Sequence, residues 1–429
     1  MSTPSSRPTL REATRFWFKL GCISFGGPAG QIAIMQTELV ERRKWIDQDR
    51  FMHALNFCML LPGPEAQQLA TYCGWLLHRT WGGIIAGALF VLPSAVLLWA
   101  LSTIYVLYGS VPVVAGIFDG LKPAVLAIVV AALIRIGKKA LRTTLLLGLA
   151  AAAFGGIFFL KVPFPVIVFG AALIGTIVAR VRPDWLALSP AKSSSPTDLD
   201  AGPPTARFHG LRVLGFGLPL WAAPVLASFL IFGPGNTFTA IGTFFSKAAM
   251  VTFGGAYAVL PYVAQQAVER YAWLAAPQML DGLAFAETTP GPLVMVLQFV
   301  GYMAGWNHPG ALSPLAAATL GAGLATWTTF VPCFIWIFLG APYVERLRGN
   351  RLVDGALRAV TGAVVGVILN LAIWFALPVL GIAAGRIDAL AGLILVASLI
   401  ALVRFKVDML WVIAGAAGLG LIEALIATG

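Results

Sequence analysis

Charge is what this sequence has least of. Asp, Glu, Lys and Arg make up 11% of its 429 residues, against about 25% in soluble domains. A chain so poor in charge cannot cover two or three water-facing domains of ordinary composition. Clustered metal or redox ligands are missing too. Cys22, Cys58, Cys73 and Cys333 form no Cys-x-x-Cys pair, and His53, His78, His209 and His308 fall on separate segments. Neither a disulfide framework nor a zinc site is indicated, and no cofactor or metal is expected. The same scatter argues against an enzyme that works on lipid within the membrane, which needs His, Asp or Glu grouped for acid–base or metal chemistry. Met1 to Arg11 is polar and lacks the layout of a signal peptide.

What is there is apolar. Hydrophobic residues reach 59%, and runs of about 20 residues, enough to cross a bilayer, fill nearly the whole chain. The net charge of +11 does not point to nucleic acid. The basic residues sit mostly at the ends of apolar runs, where cytoplasmic loops carry Lys and Arg. The expected fold class is an all-α polytopic membrane protein with the lipid bilayer as its surroundings; a homodimer is compatible with it.

The chain repeats itself. Phe25-Gly26-Gly27 recurs as Phe253-Gly254-Gly255, and Pro62-Gly63-Pro64 as Pro290-Gly291-Pro292, both shifted by 228 residues. Lys19 and Lys247, Trp45 and Trp273, and Glu41-Arg42 and Glu269-Arg270 keep the same register. Further on, Asp119-Gly120 matches Asp354-Gly355 at a shift of 235, the change expected of a loop insertion. Gly and Pro interrupt helices, so each copy holds two broken segments. The predicted organisation is a cytoplasmic tail (1–12), a first membrane repeat (13–180), a Ser/Pro-rich linker (181–211), one connecting helix (212–233) and a second repeat (234–429). That makes about thirteen segments, six on either side of one. An even number per copy plus one crossing turns the copies over relative to each other, the inverted repeat of many secondary transporters.

Loop charge tests the count. With the N-terminus in the cytoplasm, 19 loop cations fall on the cytoplasmic side and six on the other, namely Arg42, Arg43, Lys44, Arg50, Lys161 and Arg386. The bias follows the positive-inside rule, but the loop 38–50 dissents. Either its acids (Glu38, Glu41, Asp47, Asp49) mask it, or the first two segments are hairpins that do not fully cross.

Candidate site residues follow from the breaks. A helix that restarts after Gly-Gly-Pro or Pro-Gly-Pro presents unpaired N–H groups and the positive end of its dipole. Irregular backbone at membrane depth is tolerated where it is buried or lines a watery cavity. Gly26, Gly27, Pro62, Gly63, Pro64, Gly254, Gly255 and Gly291 would therefore supply donors to an anion, with Ser24, Thr252, Thr288, Thr289, Gln67 and Gln68 in reach. Lys19, Lys122, Lys247 and Arg358 are the cations within or near the membrane, where charge usually marks a pathway. Lys19 and Lys247 can equally snorkel to the interface, and Asp119 and Asp354 can be ion-pair partners of Lys122 and Arg358. Glu65 and Glu287, with Asp119 and Asp354, are candidate proton or coupling sites. Glu65 in a first helical turn can also simply complement the dipole.

At these residues the sequence resembles the chromate ion transporter family in its long, fused form. The carrying strings are Phe16-Trp17-Phe18-Lys19-Leu20-Gly21 to Pro28, Leu61-Pro62-Gly63-Pro64-Glu65-Ala66-Gln67-Gln68, Phe253-Gly254-Gly255-Ala256-Tyr257 and Ala286-Glu287-Thr288-Thr289-Pro290-Gly291-Pro292. The resemblance implies a non-enzymatic carrier of the bacterial inner membrane that exports chromate and confers resistance to it, with sulfate as a related oxyanion. Uptake or exchange of sulfate or another oxyanion is the alternative, and a channel would need the same site without alternating states.

Overall fold

A computed structural model describes residues 8–25, 27–186, 206–253, 255–341, 351–382 and 385–428. The described residues are helical, and all thirteen expected segments are present. Seven helices are long and apolar enough to cross a membrane, in keeping with an all-α polytopic membrane protein. The linker residues 187–205, and Gly26 and Gly254 of the repeated motif, lie outside the described residues.

The first copy opens with three short helices and a long bent one. α1 (Leu10–Ile23) is started by a capping box in which the Thr9 hydroxyl and Glu12 carboxylate satisfy each other's backbone N–H. α2 (Gly27–Gln36) follows the first break and ends in a π-helical turn, Thr37–Arg42. α3 (Gln48–Cys58) is capped by Asp47. α4 (Glu65–Tyr108) follows the second break and is not one rod: His78 and Arg79 leave helical geometry. The chain reverses there, because a Cβ on Gly74 would lie 2.3 Å from the Gly82 carbonyl oxygen across the bend.

The second copy is built alike. α9 (Thr237–Val251), α10 (Ala256–Gln265) and α11 (Ala276–Thr288) precede its second break. α12 (Val296–Asn307) and α13 (Pro314–Gly340) repeat the bent α4, with Gly301 against Gly321 in the role of Gly74 and Gly82. The longer turn 308–313 is where the shift changes from 228 to 235.

The four broken segments do not cross; they fold back. The Arg43 guanidinium lies 4.9 Å above the Phe16 ring, and Phe16 and Trp45 meet edge to face at 5.4 Å. Their mates do the same, Phe244 and Trp273 at 5.8 Å. Asn307 Nδ2 donates to the Trp273 carbonyl at 2.8 Å, so the second hairpin of this copy returns to the side where the first one ended. The half-helices have 10–15 residues and rise about 15–22 Å at 1.5 Å per residue, so none alone spans a hydrocarbon core of about 30 Å. Of the two explanations for the dissenting loop 38–50, the hairpin is the one observed.

The remaining helices interlock the copies. α5 (Pro112–Ala140) and α14 (Arg351–Val379) are repeat mates that carry Asp119 and Asp354. Each packs on the last helices of the other copy. α5 lies against α15 (Ala389–Val403) and α16 (Met409–Thr428), and α14 against α6 (Thr144–Phe158) and α7 (Phe164–Val181). Small residues allow the approach: Gly116 and Gly120 face Gly420 and Ala424, while Gly355 and Ala359 face Gly175 and Ala179. The bent halves also meet. Phe338 packs on Gly83, Phe334 on Gly87, and Trp99 Nε1 donates to Thr319 Oγ1 at 3.0 Å, so α4 past its bend and α13 run antiparallel. α8 (Ala206–Phe232) is the unpaired connecting helix and lies on α13 and α9.

Candidate functional site

Gly63 and Gly291 organise the centre. Both have positive φ, +126° and +110°, which only glycine adopts without strain. Each is also a point of close approach: a Cβ on Gly63 would stand 2.7 Å from Cys333 Sγ, and one on Gly291 2.5 Å from Ser94 Cβ. Their N–H groups are used across the repeat. Gly63 N donates to the Thr252 carbonyl at 2.8 Å, and Gly291 N to the Ser24 carbonyl at 2.9 Å. Ser24 and Thr252 are themselves repeat mates. The four breaks therefore meet in two crossings, each joining the first break of one copy to the second break of the other.

The N–H groups of Gly63 and Gly291, expected as donors to a ligand, are thus taken by protein carbonyls in this arrangement. The Ser24 and Thr252 hydroxyls are occupied as well, donating to the Leu20 and Ala248 carbonyls at 2.6 and 2.7 Å. Thr288 Oγ1 likewise donates to the Ala284 carbonyl. Other polar atoms at the crossings have no partner. Ser94 Oγ, Thr289 Oγ1 and the Oε1 atoms of Gln31, Gln67 and Gln68 are buried and unbonded. The amide orientations follow from what the nitrogens bind: Gln31 Nε2 donates to the Ser24 and Gly291 carbonyls, Gln68 Nε2 to the Pro62 carbonyl and Gln67 Nε2 to Thr71 Oγ1. An unsatisfied buried polar atom costs about 1–3 kcal/mol, so five of them on the broken segments and the helices packed against them call for an explanation.

The remaining candidates divide. Pro64 caps α4 and is buried, with Glu65 half-buried in the first turn after it. Gly27 and Gly255 open α2 and α10 with φ of +67° and +94°. Glu287 is buried one residue before Thr288 and accepts a hydrogen bond from the Tyr257 hydroxyl. Lys19 and Lys247 are not turned toward the crossings. The inner face of α1 is Trp17, Leu20, Gly21 and Ser24, and Lys19 is exposed on the opposite face beside Phe18; Lys247 is exposed on α9 between buried Phe245 and Ala248. Lys122 and Asp119 form the ion pair allowed for them, at 2.7 Å, in a separate cavity of about 550 Å³ between α5 and α16 that Asp388 and Glu423 also line. Arg358 donates to the Leu186 carbonyl at 3.0 Å, and Asp354 is exposed in the first turn of α14.

Sequence reasoning missed Gln31, Ser94 and Tyr257, and also Asp281, which is buried and accepts from the Tyr105 hydroxyl at 2.8 Å. A polar residue inside an apolar run was the available signal for Gln31 and Ser94. Among the described residues no group of three His, Cys, Asp or Glu side chains is placed to hold a metal.

Comparison with known proteins bears on what this centre handles. The profile of the family described as chromate transporter matches residues 11–176 and 239–421, both copies. The chain belongs to the chromate transporter family. A chromate transport protein of Cupriavidus metallidurans is 30% identical over 419 residues, covering 96% of this chain and 93% of that one. A chromate transport protein of Pseudomonas aeruginosa is 31% identical over 373 residues, 85% of this chain and 80% of its own. A probable chromate transport protein of Synechococcus elongatus is 28% identical over 375 residues, 85% and 84%. No solved structure matches the chain. Membership in this family makes the chain a membrane transporter, and Ser24, Gly63, Thr252 and Gly291 fall within the two regions its profile covers.

Proposed function

We propose that this chain is a secondary transporter that exports chromate across the bacterial inner membrane and so confers resistance to it, with the N-terminus in the cytoplasm. The observation that carries the reading is the pair of crossings. Two copies whose mates α4 and α13 run antiparallel, and whose hairpins begin on opposite ends of that pair, fit an inverted repeat with its site at the contact of the breaks. Alternating access would open one crossing at a time.

Orientation is supported by charge. With the broken segments folded back, loop 38–50 joins the side of the N-terminus. Lys161, Arg270 and Arg386 are then the basic loop residues left outside, where thirteen crossings left six. This sharper bias fits a cytoplasmic N-terminus.

Direction follows from magnitudes. A charge crossing the membrane is worth about 2.3 kcal/mol per 100 mV. At about 150 mV, inside negative, export is downhill by about 3.5 kcal/mol for each negative charge carried, hence about 7 kcal/mol for the dianion, and no coupling ion is required for either protonation state. The binding residues under this reading are those at the crossings, Ser24, Gly27, Gly63, Pro64, Gln67, Gly255, Thr289 and Gly291.

The test is chromate flux into inside-out vesicles or proteoliposomes with the potential clamped and sulfate as competitor. Accumulation that grows with a potential positive inside the vesicle is the expected result. Flux that follows a pH gradient and ignores the potential would overturn potential-driven export. Sulfate competing on equal terms would make chromate one oxyanion among several.

A further inference from the structure

The two crossings share a backbone but not a chemistry. Two side chains contact Gly291 and a third belongs to its own segment. Gln31 Nε2 donates to its carbonyl, Ser94 packs on its Cα, and Thr289 stands two residues before it. Each keeps one buried unpartnered atom, and the three differ in kind. Ser94 Oγ and Thr289 Oγ1 can each donate a proton, whereas Gln31 Oε1 can only accept one, since its amide nitrogen is already committed to the Ser24 and Gly291 carbonyls. Ser94, Thr289 and Gln31 are 1%, 4% and 0% exposed, so bulk solvent does not reach them. The surroundings are rich in acceptors, namely two carbonyls, an amide oxygen and the Glu287 carboxyl group close by.

We propose that the Gly291 crossing is a subsite for a singly protonated tetrahedral oxyanion, such as hydrogen chromate, in which Ser94 and Thr289 donate to its oxygens and Gln31 Oε1 accepts its O–H. This rests on the oxyanion-carrier reading above and adds the protonation state of the cargo. A fully deprotonated dianion brings no donor, and would leave Gln31 Oε1 unpaired against a second negative charge. A site built to bond a ligand O–H rejects the analogue lacking it far more strongly than a site based on fit alone. Chromate holds its second proton to near neutral pH, while sulfate and selenate have lost theirs; the subsite therefore separates chromate from sulfate by chemistry that shape does not offer. The crossing is closed here, since even a methyl group at Gly291 would strike Ser94. The anion is admitted when the Gly291–Ser24 bond parts, and the three side chains then have their partner.

The titratable groups around the crossings are Glu287 of α11, Tyr257 of α10 that bonds it, Arg135 of α5 within electrostatic reach of both, Glu65 of α4 with Lys139 of α5 in reach of it, and the thiols Cys58 of α3, Cys73 of α4 and Cys333 of α13. The experiment must therefore place the proton on the ligand and not on these. It is equilibrium binding of radiolabelled chromate to the purified full chain in lipid nanodiscs, from acid to alkaline pH, with selenate and perrhenate as competitors. Perrhenate is a tetrahedral monoanion without an O–H. The expected result is an apparent Kd for total chromate that weakens about tenfold per pH unit above the ligand's own second dissociation, as the competent fraction falls. The slope should persist in Glu287→Gln. Neither selenate nor perrhenate should displace chromate at equal concentration, and Gln31→Leu should lose the preference of chromate over selenate. Ser94→Ala, which removes one hydroxyl and creates no bulk, should weaken chromate several-fold without changing the pH slope. Displacement by perrhenate would show that charge suffices, and a slope abolished by Glu287→Gln would show that the proton belongs to the protein; either overturns the inference and leaves the transporter reading intact. Chromate binding that is flat with pH and shared equally with selenate does the same. Absence of chromate binding at every pH, in folded protein, removes both the inference and the carrier reading on which it rests.

Discussion

The first and second crossings are the same backbone dressed differently. Gly63 and Gly291 are repeat mates, both with positive φ and each donating to a carbonyl at the first break of the other copy, Thr252 for Gly63 and Ser24 for Gly291. At Gly63 the contacting side chains are the Cys333 thiol and the Gln68 amide; at Gly291 the contact is the Ser94 hydroxyl. A thiol is a weak donor that behaves as a small hydrophobe, whereas a buried hydroxyl without a partner is costly. Duplication has kept the joint and let the two sides diverge in what they can bind.

The comparison breaks most severely at its glycines. Gly63→Ala and Gly291→Ala each force a side chain into the left-handed region, costing about 1–3 kcal/mol of backbone strain, and each drives a methyl into a neighbour at 2.7 or 2.5 Å. Vesicle flux should fall more than tenfold in both, with a lowered melting temperature in detergent. Removing the obstructing side chain separates clash from strain. Cys333→Ala in the Gly63→Ala background should restore part of the melting temperature, and equal flux before and after would mean that the strain alone is decisive.

The interlock between copies supplies the second contrast. Gly120 meets the Ala416 carbonyl and Gly420, and its mate Gly355 meets Ala179 and the Gly175 carbonyl. Gly120→Leu and Gly355→Leu each put a branched side chain where two helices touch, and overpacking of this kind typically costs about 1–3 kcal/mol. Both should lower the melting temperature by similar amounts and reduce the yield of folded protein. A large difference between them would mean that the two interlocks are not equivalent in stability, whatever their geometry.

How much of this was legible in the sequence depends on the link in question. The repeat, the broken segments and the helix count follow from Gly, Pro and apolar run length, which act locally and leave a mark at fixed spacing. That the broken segments turn back was visible only as an anomaly, the basic loop 38–50. Length alone could not decide, because two half-helices in a row add up to a plausible crossing. The side chains at the centre were legible in part. Ser24, Gly63, Thr289 and Gly291 sit in or beside the repeated strings and do meet. Gln31 and Ser94 lie on elements whose facing depends on a helix bend at His78–Arg79 and on contacts between copies more than 190 residues apart, and no local pattern encodes those. The cations were the least legible, since a Lys a few residues into an apolar segment can face inward or snorkel, and only packing distinguishes the two.

Lys19 and Lys247 give the smallest expected effect and the sharpest reading of the symmetry. Being repeat mates in a transporter of anions, they would by sequence rank among the first residues to mutate. In the structure both are exposed, with Trp17, Leu20 and Ser24 on the other face of α1 and Phe244, Phe245 and Ala248 buried on α9. A charge on that outer face feels the ligand only through a screened or lipid-facing path, and exposed charge contributes about 0–1 kcal/mol to local interactions. Lys19→Ala and Lys247→Ala should therefore change chromate Kd by less than about fivefold, the upper end of that range being 1 kcal/mol against 1.4 per factor of ten. The effect, if any, should fall with salt. A hundredfold loss in either variant, in protein of normal melting temperature, would mean that α1 or α9 rotates its outer face toward the crossing during the transport cycle. The state with the Gly63 and Gly291 bonds closed would then be the resting one, and the lysines would belong to the state that follows it.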